Sequence, residues 1–203
     1  MKRDLIVVGA GGHSKALLDV IESSSGYRVK GILGQSNEIG MLVTGYSVTG
    51  TDDSVKEYAE QGYSFIIAVG QIKTAQPRKS IAEKLRACRA SLATIVAATA
   101  HQAASSQIGP GGAVFHFAHI GPHAEIGEHC IVNTHAVVEH DCNISAFCHI
   151  STGAILNGGV SVGEESFIGS GAVVREGISI GSRCIIGAGV RVLKSVPDGT
   201  MLL

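Results

Sequence analysis

The stretch Ile120-Gly121-Pro122-His123-Ala124-Glu125-Ile126-Gly127-Glu128-His129-Cys130-Ile131-Val132 places an aliphatic side chain at every sixth position, and the pattern runs far beyond it. The full series is Ile108, Val114, Ile120, Ile126, Val132, Val138, Ile144, Ile150, Leu156, Val162, Ile168, Val174, Ile180, Ile186 and Val192, without a miss. An α-helix repeats every ~3.6 residues and a strand every ~2, so neither gives this spacing. A hexapeptide period marks a parallel β-helix, in which each hexad forms one flat side of a coil. With three hexads to a triangular coil, the series predicts about five coils.

The texture within each hexad agrees. Glycine often follows the aliphatic residue, as at Gly109, Gly121, Gly127, Gly163, Gly169, Gly181 and Gly187. It suits a corner where φ is positive or where backbones pack closely. Four positions after the aliphatic residue the side chain is usually small: Ala118, Ala124, Cys130, Ala136, Cys142, Cys148, Ala154, Ala172, Cys184. These fill the narrow interior of a prism. Four of the 5 cysteines fall there and read as small buried hydrophobes in a reducing compartment. No Cys-x-x-Cys pair is present, which disfavours a structural zinc site.

The chain has 203 residues and a net charge of −1, which excludes a strongly basic nucleic-acid binder or a polybasic membrane protein. No apolar run approaches a bilayer span, and the start lacks the features of a signal peptide. A cytoplasmic location is expected.

Residues 1–97 have a different texture from residues 98–203. Asp4 to Ala10 is an apolar strand running into glycines, and Ser14 to Ser24 has helical spacing. Strands follow at Tyr27 to Leu33, Ser64 to Val69 and Ser91 to Ala97. Helices are expected from Asp52 to Gln61, stopped by Gly62, and over residues 77–88. The alternation implies a small Rossmann-like α/β domain with a parallel sheet. Residues 98–107, rich in Ala, Ser and Gln, read as a passage into the first coil.

Gly9-Ala10-Gly11-Gly12-His13-Ser14-Lys15 joins a strand to a helix, a context in which backbone N–H groups face a phosphate. Ser14 stands where a full G-x-G-x-x-G has its last glycine, and Leu33-Gly34-Gln35 supplies no acidic residue after the second strand. A nicotinamide dinucleotide is therefore disfavoured. A nucleotide diphosphate or sugar phosphate, or a bare turn without ligand, remains. Lys15 is a candidate positive charge for the phosphate.

Seven of the 9 histidines, His116, His119, His123, His129, His135, His140 and His149, lie within the aliphatic series. His140 stands out in Val138-Glu139-His140-Asp141, where it interrupts the usual corner. A carboxylate beside an imidazole fixes its tautomer and makes it a better base. Neighbouring residues on a strand point to opposite faces, so Asp141 reaches the ring only if the chain bends there. With eighteen residues to a coil, Gly158 stacks over His140 and leaves space beside it. His149 falls on another side of the prism. His135 and His140 also have His-x4-His spacing, which opens a zinc alternative of the γ-carbonic-anhydrase type, although no third ligand is evident. A non-catalytic nucleotide-sugar scaffold is a further alternative.

Taken together, Gly9 to Lys15, Ala68-Val69-Gly70, Asn133-Thr134, Val138 to Cys142 and His149-Ile150-Ser151 resemble the bacterial sugar acetyltransferases of the hexapeptide-repeat class. These include sialic acid O-acetyltransferases and the N-acetyltransferases that act on UDP-4-amino sugars of the bacillosamine type. The resemblance spans essentially the whole chain. It implies a Rossmann-like nucleotide-sugar domain followed by a left-handed β-helix, assembled as a homotrimer. It implies acetyl-CoA as co-substrate, no metal, and N-acetylation of a nucleotide-linked amino sugar for surface glycan synthesis, with O-acetylation of a sialic-type acid as the alternative. By the same resemblance His140 is the general base and Asp141 its partner. His149 lies near the thioester, Gly158 beside the pantetheine and Asn133 near the acceptor, while Gly11, Gly12, His13 and Gly70 line the nucleotide-sugar pocket. The chain departs from the UDP-sugar members at Gly34-Gln35, where they usually carry an acidic residue or pair. It also reads Met201-Leu202-Leu203 where relatives usually continue through a Gly-x-Pro-Ala-Lys-like segment.

Overall fold

The computed structural model describes residues 2–24 and 26–203. The chain forms two units, one of Met1–Gly70 with Gln76–Ile95 and one of Gln71–Ala75 with Val96–Leu203. Among the described residues no helix is long and apolar enough to cross a membrane.

The first unit is a Rossmann-like sheet with crossover helices. Its strands are β1 (Arg3–Val8), β2 (Tyr27–Gly34), β3 (Leu42–Val43), β4 (Tyr46–Thr51), β5 (Ser64–Ile67) and β6 (Ser91–Leu92), in the order β3-β4-β2-β1-β5-β6. All neighbours are parallel except β3 and β4. The apolar runs of β1 and β5 are buried on both faces, as the centre of a covered parallel sheet requires. Helix α1 (Gly12–Ser23) buries Leu17, Leu18, Val20 and Ile21 as one stripe. The helix expected after β4 begins as a short 3₁₀ turn at Asp52–Ser54, continues as α2 (Val55–Glu60) and ends before Gly62 at φ 81°. Helix α3 spans Gln76–Ala87. The β3–β4 hairpin carries no apolar run that announces it. Its strands mix exposed and buried positions, and in β4 the buried Val48 and Gly50 alternate with Ser47, Thr49 and Thr51.

The second unit is a left-handed parallel β-helix. Two-residue strands form a 7-stranded, a 6-stranded and a 5-stranded face, and up to Val192 each strand pairs with the one eighteen residues on, as in Ala113↔Ile131 and Val137↔Ile155; the last pairing, Ile185↔Met201, is shorter. The aliphatic series and the small fourth residue of each hexad form one continuous buried core. The expected strand over residues 91–97 is in fact two. Ser91–Leu92 closes the first sheet, and Ile95–Val96 opens the 7-stranded face. Residues 98–107 are likewise already coil, because His101–Gln102 and Gln107–Ile108 pair with His119–Ile120 and Glu125–Ile126. Gln102 occupies an aliphatic position of the series, and that break hid the first coil.

Of the two uses proposed for the repeat glycines, close packing holds and positive φ does not. A Cβ at Gly127 would stand 2.7 Å from the backbone nitrogen of Ala146, and one at Gly169 2.6 Å from that of Ala188. The positive-φ corner comes two residues later. There Phe117, His123, His129, His135, Asp141, Phe147, Glu165 and Arg183 hold φ between 55° and 63°, alternating with glycines such as Gly153 and Gly159. Histidine and aspartate enter this conformation more readily than most residues, which explains three of the seven histidines. The interior cysteines are free thiols bonded to backbone carbonyls, for example Cys142 to Asn157 at 3.2 Å and Cys148 to Gly163 at 3.1 Å. Burial pushes the Cys142 thiol up, and the hydrogen bond with Cys130, together with burial, does the same for Cys148.

Candidate functional site

Each unit holds one part of the candidate machinery. In the first, a cavity of about 640 Å³ opens at the carboxyl ends of the parallel strands, and Gly11, Gly12, His13 and Gly70 are in its wall. This is where an open α/β sheet binds ligands. Gly9 sits at φ 122°, with a would-be Cβ 2.9 Å from Val69 Cγ2, so the fold itself demands glycine there. Gly11 and Gly12 are different, since a Cβ at either would meet nothing within 4 Å. A bare strand–helix turn explains Gly9 but leaves Gly11 and Gly12 unexplained; their effect is to keep the α1 N-terminus uncovered. Ser14 is fully buried and donates from Oγ to the Gly11 carbonyl at 2.5 Å, locking the turn. Lys15 is exposed and takes no part in the cavity wall. On the other side, the buried Arg78 donates to the Val69 carbonyl at 2.7 Å, fixing the chain just before Gly70.

Acidic residues reach this cavity from places the sequence did not mark. Glu38, Asp52 and Asp53 are in its wall. Asp52 accepts from Lys84 Nζ at 2.7 Å, and that hydrogen bond holds the Lys84 ammonium above the usual lysine range. Glu38 folds back so that its Oε2 accepts from the Gln35 backbone N–H at 2.7 Å.

In the second unit, His140 Nδ1 and Asp141 Oδ2 are 2.7 Å apart. Asp141 is the positive-φ corner residue, at 59°, and the turn swings its carboxylate back beside the preceding ring. His140 therefore precedes the corner rather than replacing it. A carboxylate accepts only, so Nδ1 carries a proton, and in the neutral ring Nε2 is the nitrogen with the free lone pair. Gly158 lies against this ring as the coil spacing predicts, because a Cβ there would stand 2.5 Å from both Cε1 and Nε2. The His140 carbonyl accepts from Gly159 N–H at 2.9 Å, whereas no backbone carbonyl among the described residues accepts from Gly158 N–H.

Asn133, half-buried, and His149, buried, form a second pair. His149 Nδ1 donates to the Gln71 carbonyl at 2.7 Å, which leaves Nε2 as an acceptor 3.2 Å from Asn133 Nδ2. Asn133 Oδ1 accepts from Thr134 N–H at 2.8 Å, so the amide orientation and the histidine tautomer agree. Gln71, itself 2% exposed, is held by donation from Nε2 to the Phe147 carbonyl at 2.8 Å. Nothing in the sequence marked Gln71. It lies between two elements of the α/β domain, yet it packs with the β-helix.

His135 is separate from His140, with its ring stacked on Phe117 at 5.0 Å. Among the described residues no three His, Cys, Asp or Glu side chains are grouped to hold a metal ion.

Comparisons with known proteins agree with this architecture. The PglD N-terminal domain family matches residues 4–85, and the hexapeptide repeat of succinyl-transferase matches residues 159–194. PerB from Caulobacter crescentus, solved with CoA and GDP-perosamine, is 34% identical. That match covers 98% of this chain and 92% of that one, with a TM-score of 0.90. The acetyltransferase domain of PglB from Neisseria gonorrhoeae, solved with acetyl coenzyme A, is 33% identical over 99% of this chain and 96% of its own, with a TM-score of 0.91. WeeI from Acinetobacter baumannii, at 19% identity and a TM-score of 0.70, shares the fold. A search of curated protein sequences gave no match. The chain belongs to the hexapeptide-repeat sugar acetyltransferases of the perosamine and bacillosamine type.

Proposed function

We propose that the protein transfers an acetyl group from acetyl-CoA to the amine of a nucleotide-linked amino sugar. The observation that carries this is the His140–Asp141 pair, an exposed base with its tautomer fixed, set against a glycine in a β-helix of this family. Two related complexes support the substrates, since PerB holds CoA with GDP-perosamine and the PglB domain holds acetyl coenzyme A. Structures of the Caulobacter enzyme also include variants in which one histidine is replaced by asparagine or alanine, which fits a histidine at the reacting centre.

In this mechanism the diphosphate of the acceptor rests on the backbone between Gly9 and Ser14, with His13 and Gly70 against the sugar nucleotide. His140 Nε2 takes a proton from the attacking nitrogen as the new N–C bond forms at the thioester carbonyl. The Gly158 N–H stabilises the oxyanion. The C–S bond then breaks, and CoA leaves as its thiol with the proton that His140 collected. Asn133 positions the acceptor, and His149 lies near the thioester. The reaction needs neither a metal nor a covalent enzyme intermediate.

Acetyl-CoA binds, on this reading, in the cleft between β-helices of a homotrimer. Support comes from the outward positions of the 6-stranded face, where Val137, Ile155 and Val173 form an apolar, in-register ladder. Such a surface gains from burial against another copy. Sedimentation equilibrium is expected to give three times the chain mass, and a monomer would remove the interface site. The five free thiols fit a cytoplasmic location.

Release of CoA thiol from acetyl-CoA tests the function. The acceptors to compare are a GDP-linked and a UDP-linked 4-amino sugar, a CMP-linked sialic acid and a free sialic acid. Release is expected only with a nucleotide-linked amino sugar. Release driven by a sialic acid alone would replace the amine by a hydroxyl acceptor, and release with none would reject the proposal.

A further inference from the structure

In a Rossmann-type site an acidic residue at the end of the second strand takes the ribose hydroxyls. Here that position reads Gly34-Gln35. Yet the carboxylate is not missing from the space. The chain leaves β2 at Gly34, turns through a 3₁₀ segment at Ser36–Glu38 and returns the Glu38 side chain to the strand end. A Cβ on Gly34 would lie 2.7 Å from Glu38 Oε2, 3.1 Å from Val48 Cγ1 and 3.2 Å from Ala10 Cβ. Gly34 therefore vacates the place that Glu38 fills, next to the glycine-rich turn. Its φ is not positive, so backbone conformation does not explain the glycine.

The local role of Glu38 uses one oxygen only. Oε2 caps the turn by accepting from Gln35 N–H at 2.7 Å, while Oε1 takes no hydrogen bond from the described residues. The side chain is half-buried in the wall of the same cavity as Gly11 and Gly12. Asp52, the other anchored carboxylate there, is already committed to Lys84.

We infer that Glu38 selects ribonucleotide acceptors by accepting hydrogen bonds from the ribose hydroxyls of the bound nucleoside diphosphate. The acidic function of the second strand end has moved four residues along the chain, and Gly34 makes room for it. This rests on the nucleotide-sugar reading of the cavity. It adds that a 2′-deoxyribonucleotide, which lacks one of the hydroxyls, is discriminated against.

Calorimetric binding of GDP, UDP and their 2′-deoxy counterparts tests it without relying on catalysis. Wild-type protein is expected to bind the ribonucleotides about tenfold or more tightly than the 2′-deoxy forms, as a charge-assisted hydrogen bond implies. Glu38→Gln keeps a carbonyl oxygen for the Gln35 cap but removes the negative acceptor. It should weaken ribonucleotide binding by about tenfold or more and erase the preference, with the melting temperature held. Gly34→Ala, which displaces the carboxylate, should erase it too. Equal binding of ribo and 2′-deoxy forms by wild type would overturn the role of Glu38 and leave the nucleotide site standing. So would a preference that survives in Glu38→Gln. Failure of all four nucleotides to bind would instead overturn the nucleotide-sugar reading and this inference with it.

Discussion

Replacing His140 by alanine is expected to lower turnover by about 10² or more while leaving the affinity for CoA and the melting temperature nearly unchanged. The side chain is 61% exposed, so its loss opens no cavity in the β-helix core. What is lost is the one lone pair aimed away from Asp141. General-base assistance contributes roughly 10²–10⁴ in rate, and an amine acceptor, already nucleophilic once deprotonated, places the effect toward the lower end. Steady-state kinetics at saturating acetyl-CoA, read beside calorimetric CoA binding, checks both halves of the expectation. Unchanged turnover would remove His140 from the reaction.

Gly158→Ala is expected to act through the same ring. The added methyl would lie 2.5 Å from Cε1 and Nε2 of His140, closer than atoms can stand, so the imidazole must swing away. Swinging breaks the 2.7 Å contact with Asp141 and takes the base out of position. The backbone at Gly158 is not in the left-handed region, so alanine fits the coil and the thermal midpoint should move little. Turnover should fall by about 10². Because both changes remove one function, Gly158→Ala combined with His140→Ala should be no slower than His140→Ala alone. Full additivity in this cycle would mean that Gly158 acts independently of the ring.

The aliphatic hexads made the β-helix legible because a narrow prism has only one kind of interior position, and every coil repeats it. The same regularity explains what was misread. Gln102 occupies an aliphatic slot, so the opening coil looked like a linker. Gly121 and Gly127 were ambiguous between two physical reasons for glycine, and only the structure shows backbone crowding at these positions rather than positive φ. His140 and Asp141 could be paired from the sequence once a bend was assumed, since the contact is local. Gln71 and Glu38 could not be found that way. Gln71 meets His149 across seventy-eight positions of sequence. Glu38 matters only because a 3₁₀ turn folds it back against Gly34. In both cases the informative relation is three-dimensional, and the residue types alone are ordinary.

Identification of the product tests acetyl transfer to the amine of a nucleotide-linked sugar. Wild-type protein incubated with acetyl-CoA and a GDP- or UDP-linked 4-amino sugar should yield an acetylated nucleotide sugar. Mass spectrometry and NMR should then place the acetyl group as an amide on the amino carbon, with one CoA thiol released per amide. An acetyl ester on a hydroxyl, cleaved by hydroxylamine, would contradict the claim, as would recovery of both substrates unchanged.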